Sequence, residues 1–306
     1  MAELCDILLK GGTVIDGTGT RARRADVAVK GDRIAAMGDL DVWQAQATLD
    51  VSGLVVSAGF IDMHSHSDLA LLINRNAESK LRQGVTTEVT GMCGFSPAPC
   101  PPARRQQIRD AFGSWAQHQD VAWDWGTFGE YVGALKSRPA SVNVAPVVGH
   151  GVIRTAVMGE ANRAPNAAEL SAMCDAARQA MAEGAVGLST GLVYAPGMWA
   201  QAEELIAVAK AIAPFRGIYF SHIRGEADGL LTSIAEAVRI GREAAVSVQI
   251  AHLKSDGRRN WGKSQAALDA IDQARASGVD VSYDVYPYTA WNTGMGQLLP
   301  AWAREG

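Results

Sequence analysis

From Leu54 onward the chain alternates short apolar runs with stretches whose apolar residues recur at helical spacing. The runs cover residues 54–61, 86–89, 142–148, 185–188, 217–220, 247–251 and 279–285. Between them, periodic segments at 166–183, 202–212, 230–244 and 264–276 predict helices. The first of these opens on Pro165-Asn166 and stops at Gly184, an N-cap and a C-terminal stop respectively. Strands alternating with helices indicate parallel βα units and an α/β fold. Seven strands are predicted, one short of a closed (β/α)8 barrel, in which the functional groups sit on the loops after the C-terminal strand ends.

Before Leu54 the pattern is different. Residues 7–9, 13–15, 27–30 and 33–36 read as short strands, with Asp16-Gly17 and Gly31-Asp32 as turns. That is too little for an independent core, so residues 1–54 are read as a partial β-sandwich domain and 55–306 as the barrel domain. Residues 97–126 break the rhythm: four prolines open the segment, and Trp115, Trp123 and Trp125 crowd its end. A loop with some helix is expected there, the tryptophans serving packing.

The 306 residues carry a formal net charge of −4, with 48% hydrophobic and 20% charged side chains. This composition fits a globular protein with a sizeable core and lacks the basic excess that nucleic acid or an anionic membrane calls for. No basic stretch precedes an apolar segment at the N-terminus, and no run approaches ~18 apolar residues, so a cytoplasmic protein is expected. Cys5, Cys93, Cys100 and Cys174 are scattered, which argues for metal or structural roles over a disulfide framework.

The candidate chemistry lies where strands end. His64 and His66 close the first apolar run two positions apart, a spacing that puts both imidazoles on one face of an extended segment. His222 follows the fifth strand and His252 the sixth. Thus four of the six histidines gather on one rim, and neutral imidazole is a good ligand for zinc. Cys93 follows the second strand, where its thiolate would be a soft ligand. His150, in Val147-Val148-Gly149-His150-Gly151, is placed on the same rim after strand three, and His118 on the surface. Lys254, two beyond His252, faces the same pocket as a cationic clamp for a carboxylate. Asp62 shares the face of the two histidines one step deeper, a supporting partner, and Asp68 is read as a loop hydrogen-bonder.

Gly59-Phe60-Ile61-Asp62-Met63-His64-Ser65-His66 resembles the first-strand signature of the amidohydrolase superfamily, built on a (β/α)8 barrel. Gly91-Met92-Cys93-Gly94, Gly191-Leu192-Val193-Tyr194, Ser221-His222-Ile223-Arg224, His252-Leu253-Lys254 and Asp284-Val285-Tyr286-Pro287-Tyr288 narrow the likeness to the N-acyl-D-amino-acid deacylase (D-aminoacylase) family. The resemblance implies one tight zinc site at Cys93, His222 and His252, and a second, weaker position faced by His64 and His66. Tyr194 and Tyr286 are similar to residues that touch the substrate carboxylate, and Arg224 holds either a loop or that carboxylate.

The implied reaction is hydrolysis of an N-acyl-D-amino acid, a small-molecule substrate, to a carboxylate and a free D-amino acid. In it zinc polarises the carbonyl and activates water, and an aspartate at the end of an eighth strand carries the proton. That aspartate is expected beyond Gly306, so the catalytic acid–base residue is not assigned here. Hydantoinase-like relatives bridge two metals with a carboxylated lysine after strand four. Residues 185–194 contain no lysine, which disfavours a dihydroorotase- or hydantoinase-like activity. A catalytically inactive barrel with an assembly role is the remaining alternative. The expectation is little or no deacylase turnover by these 306 residues. An assay with zinc and a panel of N-acetyl-D-amino acids checks it, and turnover near that of a full-length enzyme refutes it.

Overall fold

A computed structural model describes residues 3–113 and 121–299. Trp115 and His118 lie outside the described residues. The chain divides into two compact units, residues 1–60 and 61–306.

The first unit is a five-stranded sheet. Strand β1 (Leu4–Ile15) pairs antiparallel with β2 (Arg23–Lys30), which pairs antiparallel with β3 (Arg33–Gly38). Strands β4 (Gln44–Asp50) and β5 (Val55–Ser57) both run parallel to β1. The two short strands expected at 7–9 and 13–15 are one strand carrying a bulge. Its register shifts between Leu9 and Gly12, where Gly11 adopts φ +76° and donates its N–H to Asp26 at 2.8 Å. Strand β4 escaped the sequence reading because Gln44-Ala45-Gln46-Ala47 lacks the β-branched alternation that marks a strand. Two small clusters fill the unit: Cys5, Leu8, Ala28 and Leu40 in one, and Val14, Ala25 and Val27 in the other.

The first apolar run is not one strand. It breaks at Ala58-Gly59, so β5 belongs to the first sheet while β6 (Phe60–Asp62) enters a three-stranded sheet of order β6-β7-β8. The unit boundary accordingly falls after Phe60, whereas the sequence pattern put it at residue 54.

After β6 come two single-turn helices, α1 (Ala70–Ile73) and α2 (Glu78–Leu81), then β7 (Val85–Thr90). Helices α3 (Arg105–Ala111) and α4 (Phe128–Ser137) follow; α4 starts on a capping box between Thr127 and Glu130. The third apolar run also divides, into β8 (Asn143–Pro146), parallel to β7, and β9 (Val148–Gly149), parallel to the next strand. Val147 alone separates them, next to Pro146, whose ring nitrogen has no N–H for the ladder.

The βα rhythm then runs through α5 (His150–Met158), α6 (Ala167–Ala182), β10 (Gly187–Gly191), α7 (Ala202–Ile212), β11 (Ile218–His222), α8 (Leu230–Ala244), β12 (Ser247–Ile250), α9 (Ser264–Ala276) and β13 (Val281–Tyr283). Strands β9 to β13 form a five-stranded sheet in chain order, with every pairing parallel. A single closed sheet is not present among the described residues. Helix α6 opens and stops where expected; Asn166 and Glu169 form a reciprocal capping box, and Gly184 takes φ +111° beyond its end.

The main core lies between this sheet and its helices. Leu188, Tyr219, Val248 and Ile250 pack there with Leu205, Ile212, Ile234, Ile240 and Ile271. Trp123 and Trp125 are buried in the same core with Phe112 and Tyr131, and Trp125 Nε1 donates to Pro97 O at 2.7 Å. Among the described residues no helix is long and apolar enough to cross a membrane.

Arg154, fully buried in α5, reaches Glu204 of α7 with 2.7 and 2.5 Å contacts and also donates to the carbonyls of Ala161 and Arg163. Removing one partner of a buried pair leaves the other charge uncompensated. Arg154→Met is therefore expected to cost about 3–5 kcal/mol in urea unfolding. A loss below ~1 kcal/mol, typical of exposed pairs, would show that the remaining contacts satisfy Glu204.

Candidate metal centre

The site is assembled by loops at strand ends. After β6 the Asp62 carboxylate accepts the His64 N–H at 3.1 Å and a Lys80 ammonium proton at 2.5 Å, turning the chain out of the strand. His64 and His66 do come together, ring centroids 5.3 Å apart and edge-on, but on this loop. The strand alternation expected to align them ends at Asp62. Their flanking hydroxyls, Ser65 and Ser67, both donate to Glu88 Oε2 at 2.6 Å, so a buried carboxylate on β7 pins the loop from beneath.

Cys93 is carried on a turn whose backbone leaves no room for side chains. Gly91, Cys93 and Gly94 all have positive φ (85°, 57° and 79°). A Cβ on Gly191 would lie 2.0 Å from the Cys93 carbonyl oxygen, and one on Gly149 would lie 2.3 Å from that of Gly94. Only glycine fits such approaches. Ser189, wholly buried on β10, staples both ends of the turn: its hydroxyl donates to Gly91 O and accepts from Gly94 N at 3.0 Å.

His222 is the last residue of β11. His252 lies just past β12 with φ +37°, a strained value held by a 2.7 Å hydrogen bond from its N–H to Asp284 Oδ1. These elements converge. Cys93 Sγ stands 3.4 Å from His64 Nε2 and 3.8 Å from His252 Nε2, and His252 Nε2 is 2.9 Å from His222 Nδ1. Donors ~2.0–2.3 Å from one tetrahedral zinc ion lie roughly 3.3–3.7 Å apart, a spacing the two Cys93 contacts match closely, whereas the His252–His222 contact is shorter, at hydrogen-bond distance. His64, Cys93 and His252 offer one such set, and His222, Glu226 and His252 another.

The electrostatics suit the same purpose. Burial, helped by neighbouring imidazoles, depresses His64 and His66 to about 3 and pushes His222 well below its usual value. These rings are neutral at pH 7, the form in which a ring nitrogen can accept a metal. Burial, with the Glu226 and Asp284 carboxylates nearby, pushes the Cys93 thiol far up. A thiolate here therefore requires a cation.

Around this centre the expected substrate residues separate into two groups. The Tyr194 ring lies 5.1 Å from His222, with its hydroxyl 3.0 Å from Thr293 Oγ1. Lys254 Nζ lies 5.5 Å from the Tyr286 ring centre, and the buried Tyr286 hydroxyl has no hydrogen-bond partner among the described residues. Lys254 Nζ also donates to Glu226 at 2.6 Å.

Arg224 and His150 are placed elsewhere. The Arg224 guanidinium is spent on Glu236 and on the carbonyls of Met198 and Ala200, so it ties down the loop after β10 and is not free for a substrate carboxylate. His150 heads α5 fully buried, its Nε2 2.9 Å from Glu204, inside the Arg154 ion-pair cluster and not on an open rim. Asp68 is buried too, its carboxyl raised to about 7 by desolvation.

Sequence reading missed Glu226, Asp284, Glu88 and Ser189. Glu226 follows His222 by four residues and Asp284 opens a quoted motif, so spacing offered a weak signal for those two. The other two act through contacts no spacing reveals.

The amidohydrolase family pattern matches residues 47–305. The chain belongs to the amidohydrolase family. Within it, the D-aminoacylase of Alcaligenes xylosoxydans xylosoxydans is 46% identical over 292 residues, 94% of this chain and 58% of that relative. A solved D-aminoacylase structure, described for the role of its binuclear metal centre, superposes with TM-score 0.84 at 43% identity, covering 93% of this chain and 59% of the other. The N-acyl-D-glutamate deacylase of Bordetella bronchiseptica, solved with zinc and a phosphonate inhibitor, gives TM-score 0.86 at 41% identity over 94% and 59%. This amidohydrolase chain thus spans somewhat under three-fifths of the length of the relatives it matches.

Because burial holds His64 and His222 neutral and the Cys93 thiol protonated, zinc uptake by this amidohydrolase chain is expected to release a proton from Cys93 and to strengthen as pH rises through neutrality. Titration calorimetry in buffers of different ionisation enthalpy measures the proton count. A count of zero would show that the thiol does not bind the metal.

Proposed function

We propose that this chain carries the metal centre of a zinc-dependent hydrolase that cleaves the amide bond of N-acyl-D-amino acids, on sheets that form part of a (β/α)8 barrel. The observation that carries the reading is the convergence of Cys93 on His64 and His252, at 3.4 and 3.8 Å, and of His252 on His222, at 2.9 Å, in a chain 46% identical to a D-aminoacylase. Parallel strands following one another in chain order from β9 to β13, with helices between, support the barrel.

Cys93, His222 and His252 are read as the holders of the tight ion, and His64 and His66 as facing a second, weaker position. When bound, zinc supplies Lewis acidity toward the amide carbonyl and toward water. The chain's own groups do the rest. Lys254 has three N–H donors and gives one to Glu226, which leaves charge-assisted donors for the substrate carboxylate. The Tyr286 hydroxyl, buried without a partner among the described residues, gains a hydrogen bond when a ligand oxygen arrives. Tyr194 closes the side of the pocket nearest His222. The position a bridging lysine would occupy in a cyclic-amide hydrolase is β10, where Ser189 is instead committed to the Cys93 turn. Linear amides are therefore favoured over hydantoins or dihydroorotate.

The test is calorimetric titration of the zinc-loaded protein with N-acetyl-D-amino acids and their L enantiomers, with amine release followed in parallel. Selective binding of the D series is expected. Lys254→Ala should weaken it roughly 10- to 100-fold, the worth of one charge-assisted hydrogen bond. Preference for a cyclic amide, or equal binding of both enantiomers, would overturn the assignment.

A further inference from the structure

Two charged groups compete for one nitrogen of His252. Its Nδ1 lies 2.7 Å from Glu226 Oε1 and 3.0 Å from Lys254 Nζ, while Lys254 Nζ itself sits 2.6 Å from the same Glu226 oxygen. A neutral imidazole carries one N–H. If Nδ1 holds it, the hydrogen bond goes to Glu226, and the Nε2 lone pair accepts from His222 or Cys93, a place that a metal can take. If Lys254 wins, its ammonium, which can only donate, needs the Nδ1 lone pair. The proton must then sit on Nε2, where it blocks a metal. The two arrangements are mutually exclusive. Glu226, Lys254 and His252 are all largely shielded from solvent, with side-chain exposures of 14%, 17% and 13%, so bulk water does not settle the contest.

We propose that Glu226 is a positioning residue that selects the metal-binding tautomer of His252 by outcompeting Lys254 for its Nδ1, keeping the ammonium occupied on the same carboxylate oxygen. One oxygen thus serves two functions. It points His252 Nε2 at the metal, and it parks the Lys254 ammonium beside the Tyr286 ring. Carboxylates that hold the far nitrogen of a ligating histidine fix ring orientation in this way, and their loss typically costs 10- to 100-fold in metal affinity. What is particular here is the opposing donor two residues along the chain. It makes the effect of losing Glu226 larger than the loss of a hydrogen bond alone. The inference rests on the proposed zinc site.

The experiment titrates zinc into the protein against a chromophoric chelator and compares unaltered protein, Glu226→Ala and the double variant Glu226→Ala/Lys254→Met. Glu226→Ala is expected to weaken zinc roughly 10- to 100-fold. The double variant should regain most of that loss, because the competing donor is gone. Nitrogen-15 NMR of the His252 ring in the zinc-free unaltered protein reports the tautomer directly and depends on no variant folding: Nδ1–H is expected, and Nε2–H overturns the proposal. Zinc affinity unchanged in Glu226→Ala, or a double variant no tighter than the single, also overturns it while leaving the metal site standing. Failure of the unaltered protein to bind zinc overturns both.

Discussion

The site depends on a steric condition: the Cys93 turn must press its backbone against the ends of β9 and β10. The carbonyl oxygens of Cys93 and Gly94 occupy the space where residues 191 and 149 would otherwise carry a Cβ. Holding a non-glycine residue such as Cys93 at φ +57° costs ~1–2 kcal/mol. The cost is borne because Ser189 bonds both ends of the turn and the glycines opposite permit the approach. The thiol is thereby delivered to the imidazoles of His64 and His252, 29 and 159 residues away along the chain.

Once these groups share a dry pocket, electrostatics follows from burial. Desolvation disfavours the charged forms, so His64, His66 and His222 stay neutral and the Cys93 thiol stays protonated. The nearby charges are arranged in answer to that. Glu226 is held down to about 2 against its own desolvation by His252, His222 and Lys254, and Asp284 is raised by burial while anchoring the His252 backbone. The second layer, Glu88 beneath Ser65 and Ser67 with Lys80 at 3.5 Å, repeats the device under the His64 loop. Fixed polar groups thus stand in for water around ligands that must not wander.

The sequence pattern was most readable where one period dominates. Helices α7, α8 and α9 begin and end where the 3.6-residue spacing of apolar positions does, because each lays one continuous face on the sheet. It misled where a single apolar run serves two partners. Residues 54–61 and 142–148 each look like one strand, yet Gly59 and Pro146 divide them between different ladders. Position was likewise silent on Arg224, whose contacts match the loop-holding alternative, and on His150. Both follow a strand end on the expected rim, and position alone cannot show that Arg224 is consumed by Glu236 and two carbonyls, or that His150 turns inward to Glu204.

By itself the sequence determined the α/β alternation, the separate β-rich N-terminal unit and the roster of candidate metal-ligating side chains, Cys93, His64, His66, His222 and His252, because hydrophobic period and residue chemistry are local properties. Tertiary structure alone decided which atoms meet. That Ser189 staples the Cys93 turn, that Glu88 grips two serines, and that Glu226 and Lys254 contend for one nitrogen of His252 are consequences of distances between remote segments, and no periodicity encodes a distance.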